Sequence, residues 1–175
     1  MVFIKITVKN MISVTQNYKE TNTTYKTALS VLLLLLASEV YVPIGVVPIT
    51  LQTFVVFLLG LNLDKCSAIN TGLLFVTIKL MALPFWACPS FGYIIGIGFS
   101  ISAMCYLRQL THNNVINCLA GYLVTNSIGS VWLYCYLHNW MLVWQYGLEP
   151  FILIEVFKSV VAIYMSKYLT RRDNN

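Results

Sequence analysis

Charge is what this sequence has least of. Only 10% of its 175 residues are Asp, Glu, Lys or Arg, against about 25% in an ordinary soluble domain. That is too few to solvate the surface of a globule, and a soluble enzyme is excluded. Acids are scarcer than bases, six against eleven, and there are two histidines, neither at metal-ligand spacing. Five cysteines (Cys66, Cys88, Cys105, Cys118, Cys135) stand singly with no CxxC pair, so they read as small buried hydrophobes rather than metal ligands or a disulfide framework. No GxxxxGK[ST], HExxH or GxSxG pattern is present. The chain therefore lacks its own energy source and the common hydrolytic nucleophiles. Covalent catalysis, a metal and a cofactor are not expected.

What fills the space is hydrocarbon: 58% of the residues are hydrophobic. A spanning helix needs about 20 apolar residues, and the length leaves room for about six. The apolar stretches are 27–41, 49–61, 67–83, 91–107, 115–137 and 151–169, punctuated by Pro43, Gly45, Pro84, Pro89 and Pro150, residues that interrupt helices. The second stretch is short and must tilt, extend back through Val46 and Val47, or break at Pro48. The expected fold is an all-α integral membrane protein with six transmembrane helices, one membrane-embedded domain at 27–172. Residues 1–26 carry Lys5, Lys9, Lys19 and Lys26, one acid (Glu20) and a Thr/Asn cluster; they read as a basic, poorly ordered cytoplasmic arm, with Met11 as an alternative start. The apolar run 31–37 before Ser38 has the look of a leader peptide. The five apolar segments that follow, and the long polar lead, favour a first span.

Placing the connections alternately on two sides gives one side Lys5 to Lys26, Lys65, Arg108, Lys167, Arg171 and Arg172, and gives the other no Lys or Arg. The positive-inside rule then puts both termini in the cytoplasm. On this reading the net charge of +5 is a matter of topology, and the partner it implies is a lipid bilayer, not nucleic acid.

Each charge inside a span needs a partner or a purpose, since it costs at least about 2.5–3.5 kcal/mol on insertion scales. Glu155 and Lys158 lie three apart on the last helix and share a side of it, extended by the small residues Ser159, Ala162 and Ser166. They form either a structural ion pair or the polar end of a ligand site. Lys79, five residues before Pro84, either snorkels to the interface or binds an anionic ligand group. Glu39, near the end of the first span, reads as simply solvated. The uncharged aromatic connection LPFWACPSF at 83–91 either roofs a cavity or anchors the interface; Trp86 and Tyr93 are its aromatic candidates for packing on a ligand ring. Gly92, Gly96 and Ser100, and Gly121, Thr125 and Gly129, recur at four-residue spacing, which lets helix backbones approach closely. His112 and His138 fall in loops without partners, a poor basis for metal or acid–base work.

The run 42–53, VPIGVVPITLQT, closely resembles the signature between the first and second helices of the BioY family, the biotin-specific substrate-binding (S) components of energy-coupling-factor (ECF) transporters. Weaker matches follow in order: Ala82-Leu83-Pro84, then PSFGY at 89–93, then Pro150 to Lys158. Together they span about 25–172. The resemblance implies six helices with cytoplasmic termini, a place in the bacterial cytoplasmic membrane, and capture of biotin from outside. It also implies delivery driven by a membrane coupling subunit and ABC ATPase subunits. A family Asp and Lys that contact the ligand match Glu155 and Lys158, with Glu replacing Asp. The family's glycine-rich loop between helices three and four, with its ligand-binding Asn, is absent. Leu32 follows four after Ala28 where the coupling stripe would have a small residue. Lys79 is not part of the family pattern and offers a substitute contact to the biotin carboxylate. Two other readings stay open: an S component for another small vitamin or precursor, and a non-transporting membrane scaffold in which the Glu155/Lys158 pair is structural.

Overall fold

A computed structural model of the chain describes residues 2–43, 46–82 and 88–172, with side chains over 21–169 of these. Helix α1 runs Val2–Glu39 and is followed by a small hairpin, β1 (Tyr41–Val42) and β2 (Ile49–Thr50). Then come α2 (Gln52–Asn62), α3 (Lys65–Ala82), α4 (Phe91–Thr111) and α5 (Asn114–Leu137). The last element is helical from Trp140: one turn, α6 (Trp140–Val143), a π-helical segment Trp144–Leu148, and α7 (Glu149–Arg172).

Two features differ from the sequence expectation. Residues 2–26 continue α1 as helix instead of forming a poorly ordered arm. They contain no Gly or Pro, and their Thr and Asn residues each cost a helix only a few tenths of a kcal/mol, within the roughly 0.7 kcal/mol range of ordinary residues. The last helix does not begin after Pro150 but runs through it. Proline is tolerated at the first turn of α7 because its missing N–H follows the π-helical segment, where the Glu149 N–H already reaches back to the Trp144 carbonyl.

The turns α4–α5 and α5–α6 use the same device twice. His112 and His138 take left-handed backbone conformations, φ 49° and 53°, and their N–H groups close the preceding helices on the Arg108 and Tyr134 carbonyls. Asn113 and Asn139 then cap the next helices, accepting from the Val115 N–H at 3.0 Å and the Met141 N–H at 2.9 Å. Both histidines thus make turns. The hairpin pairs Tyr41 with Thr50 and Val42 with Ile49, and it carries the chain from α1 straight into α2 through a Leu51 N–H to Val40 carbonyl bond of 2.9 Å.

The small-residue stripes pack against each other's helices. A Cβ added at Gly96 would lie 2.8 Å from the Thr125 backbone, and one at Gly72 would lie 2.3 Å from the Gly98 carbonyl of the facing helix. Such contact leaves no room for a side chain. Of the cysteines, Cys105 and Cys118 are buried as expected, Cys88 is half-buried, and Cys66 and Cys135 are exposed.

Polar residues are set into an apolar core while large apolar side chains cover the exterior. Buried positions include Ser67, Thr71, Ser100, Asn117, Asn126, Glu155 and Lys158, while Leu73, Phe99, Leu119, Leu123, Val131, Leu153 and Phe157 face outward. An exterior of this kind suits hydrocarbon and not water. Among the described residues α4 is the helix long and apolar enough to cross a membrane by length and composition alone. In α3, α5 and α7 the buried polar face dilutes the apolar one.

Candidate functional site

Apart from Lys79 and Lys158, the described bases gather at one end. Lys26 pairs with Asp64 at 3.8 Å, Lys65 lies over the Tyr106 ring at 5.4 Å, and Arg108 donates to the Leu61 and Leu63 carbonyls. The Ser166 hydroxyl, one residue before Lys167, bonds the Asn62 amide oxygen at 3.1 Å. Asp64 also caps α3, accepting from the Ser67 N–H at 3.2 Å and the Ser67 hydroxyl at 2.9 Å. Partial burial pulls its carboxyl up, but the Ser67 bonds and Lys26 outweigh this and hold it below its usual value.

A cavity of about 180 Å³ lies toward the hairpin end, lined by Ser38, Thr50, Gln52, Thr53, Lys79, Tyr93, Asn126, Phe151 and Glu155 among others. The end of α1, the hairpin leading into α2, the last turn of α3, and α4, α5 and α7 build it. Three of the sequence candidates, Glu155, Lys79 and Tyr93, therefore share one wall system. Lys158 stands just behind it, bonded to Glu155. Trp86 lies outside the described residues. A larger groove of about 360 Å³ between α2, α5 and α7 also touches Glu155. Its lining is mostly apolar and includes the outward-facing Val115, Leu119, Ile152, Val156 and Val160, so it offers little to orient a polar ligand.

At the head of the cavity the buried pair is tied to the hairpin. The Lys158 ammonium donates to Glu155 Oε1 at 2.7 Å, to the Thr50 carbonyl at 2.7 Å and to the Thr53 hydroxyl at 2.8 Å. Thr53 in turn donates to Glu155 Oε1 at 2.7 Å. All three lysine protons are used. The other carboxylate oxygen, Glu155 Oε2, is buried without a protein partner, and so is the amide nitrogen of Gln52. The residues are only 4% and 5% exposed. Since buried polar groups are normally hydrogen-bonded, one acceptor and one donor are left over by two residues that line the same cavity.

Tyr93 is fixed from three sides. Its ring lies against Gly129, where an added Cβ would come within 2.3 Å, and it stacks on Phe151 with centroids 6.1 Å apart at 20°. Its hydroxyl donates to the Gly147 carbonyl at 2.9 Å, inside the π-helical segment. That segment leads directly into α7, which carries Glu155 and Lys158. Asn126, whose amide donates to the Tyr122 carbonyl at 2.9 Å, adds a further polar group to the wall.

Sequence reasoning overlooked Thr50, Gln52, Thr53 and Asn126. A signal was present for the first three: they are the polar residues of VPIGVVPITLQT, the run whose resemblance was most specific.

A mainly helical membrane protein with a partly open cavity of mixed lining at one end has the form of a small-molecule-binding component, and comparison with known proteins names its family. The sequence profile of the BioY family matches residues 9–174, and the chain belongs to that family. Biotin transporter BioY2 of Lactococcus lactis subsp. cremoris is 25% identical over 160 residues, covering 82% of this chain and 87% of the relative. The probable biotin transporter BioY of Pyrococcus horikoshii is 29% identical over 154 residues, covering 81% and 92%. Biotin transporter BioY of Thermotoga maritima is 25% identical over 154 residues, covering 81% and 91%. Among solved structures, the S-component for biotin from an ECF-type ABC transporter matches with a TM-score of 0.75 at 21% identity, over 89% of this chain and 94% of that one. The fold is thus the all-helical fold of an S component.

Proposed function

We propose that this protein takes up biotin across the bacterial cytoplasmic membrane as the substrate-binding component of an ECF-type transporter. Family membership and the names of its relatives point to biotin. One observation in the chain itself carries the reading: Glu155 Oε2 and the Gln52 amide nitrogen are an unfilled acceptor and an unfilled donor at one cavity. A ureido ring presents N–H donors and a carbonyl acceptor, the complement of that pair. Tyr93 and Phe151 offer aromatic walls for the fused ring, and Trp86 is a further candidate. No step is covalent, and no metal or cofactor takes part.

In this reading six helices span the membrane, counting the α6–α7 run as one, with both termini in the cytoplasm. The clustering of Lys26, Lys65, Arg108 and Lys167 at one end supports that orientation, and residues 2–26 form the first part of α1 as a basic cytoplasmic arm. The cavity then faces outside. Delivery inward calls for an ECF membrane coupling subunit and two ABC ATPase subunits, since the chain carries no nucleotide-binding motif of its own.

The test is equilibrium binding of labelled biotin to the purified protein in nanodiscs, alongside Glu155→Ala and Lys158→Ala. Saturable binding that unlabelled biotin displaces, and that either substitution abolishes, is expected. A folded wild-type protein that binds no biotin would overturn the reading.

A further inference from the structure

Lys79 is the charge that neither the fold nor the family pattern accounts for. It sits in the last turn of α3, half-buried, and lines the cavity with Glu155. Its ammonium does not turn away to the interface: it donates to the Ser38 hydroxyl of α1 at 2.8 Å. Ser38 in turn spends its own proton on the Leu35 carbonyl at 2.6 Å, so its oxygen is oriented as an acceptor and holds the lysine in place. The ion pairs among the described residues are Lys26–Asp64 and Lys158–Glu155; Lys79 has none.

The two cavity lysines therefore differ in what they have left to give. An ammonium has three donors. Lys158 uses all three on Glu155, Thr50 and Thr53, and its charge is neutralised at 2.7 Å. Lys79 has one described acceptor and an uncompensated charge. At a partly buried position such a cation attracts an anion more strongly than in bulk water.

We infer that Lys79, held by Ser38, is the carboxylate-recognising residue of the site and makes it selective for the free acid of its ligand. This rests on the biotin reading above and assigns the second pole of the cavity: Glu155 and Gln52 take the ring, and Lys79 takes the acid at the end of the side chain. A positively charged last-turn residue also favours the α3 helix dipole, a structural role that discriminates between no two ligands.

The experiment reads a ratio. Competition binding in nanodiscs compares biotin with its primary amide, a neutral isostere of the acid, on the wild type, Lys79→Met and Lys79→Gln. The wild type should prefer the acid by roughly tenfold or more, the scale of a charge-assisted hydrogen bond. Lys79→Met or Lys79→Gln should narrow the ratio to about twofold or less, whichever of the two remains folded. Acid and amide binding alike to the wild type would overturn the inference while leaving the biotin reading intact. So would a wild-type ratio retained in either variant. A wild type that binds neither compound overturns the biotin reading, and this inference falls with it.

Discussion

The two ends of the bundle treat the same side-chain types in opposite ways. At the basic end charge is consumed within the protein: Asp64 is bonded by Ser67 and Lys26, and Arg108 covers the carbonyls that end α2. At the cavity end Glu155, Gln52 and Lys79 are brought together with one acceptor, one donor and one cation unspent. An unsatisfied buried group costs about 1–3 kcal/mol. Buried polar atoms lack a protein partner toward the basic end as well, Thr27 Oγ1 and Asn117 Nδ2 among them; what sets the cavity end apart is that an acceptor, a donor and a cation line one cavity.

The comparison breaks most visibly at the buried pair. Lys158→Met strands the Glu155 carboxylate, so it should lower stability by about 3–5 kcal/mol, as removing one member of a buried pair does. It should also reduce biotin affinity by roughly 100-fold or more, about 2.8 kcal/mol at tenfold per 1.4 kcal/mol. Thermal unfolding in detergent and labelled-biotin binding read the two effects. Arg108→Met sharpens the contrast from the other end. It should cost about 1.5–3 kcal/mol of stability through the lost charged hydrogen bonds, while biotin affinity changes by about twofold or less. Smaller again is Asp64. Because its carboxyl is held below the usual value, its contribution is present above about pH 4, where the unfolded carboxylate is already ionised. It is lost as pH falls through the lowered folded value. Asp64→Asn should remove that acid-limb loss from a pH–stability profile, an effect kept small by exposure and weakened by salt.

Much of the site was legible because a membrane interior makes charge conspicuous. Glu155 and Lys158, three apart in an apolar helix, announce a shared face, and the structure joins them at 2.7 Å. Lys79 and Tyr93 were visible for similar reasons, as a charge and an aromatic near helix ends, and both line the cavity. Gln52, Thr53 and Asn126 were not singled out, since uncharged polar residues at the start or middle of a helix also occur as ordinary packing. Only the hairpin, by folding Thr50 to Thr53 over α7, gives them a common purpose. The start of α4 after Pro89 followed from proline, but the turns at His112 and His138, the run of α7 through Pro150 and the π-helical segment did not. The segment is held by a long-range contact, Tyr93 to Gly147, 54 positions away. The cysteines taught the reverse lesson: Cys66 and Cys135 are exposed, because in lipid a small apolar residue has no reason to be inside.

Gln52→Leu separates the two kinds of polar group most directly, measured by thermal unfolding and biotin affinity on the same preparation. If the Gln52 amide is reserved for ligand, the substitution removes an unpartnered buried donor. Stability then holds or rises, while biotin affinity falls by roughly tenfold, the worth of a hydrogen bond of about 1.4 kcal/mol. A variant that loses stability and keeps its biotin affinity would contradict the account, since the amide would then be serving the fold.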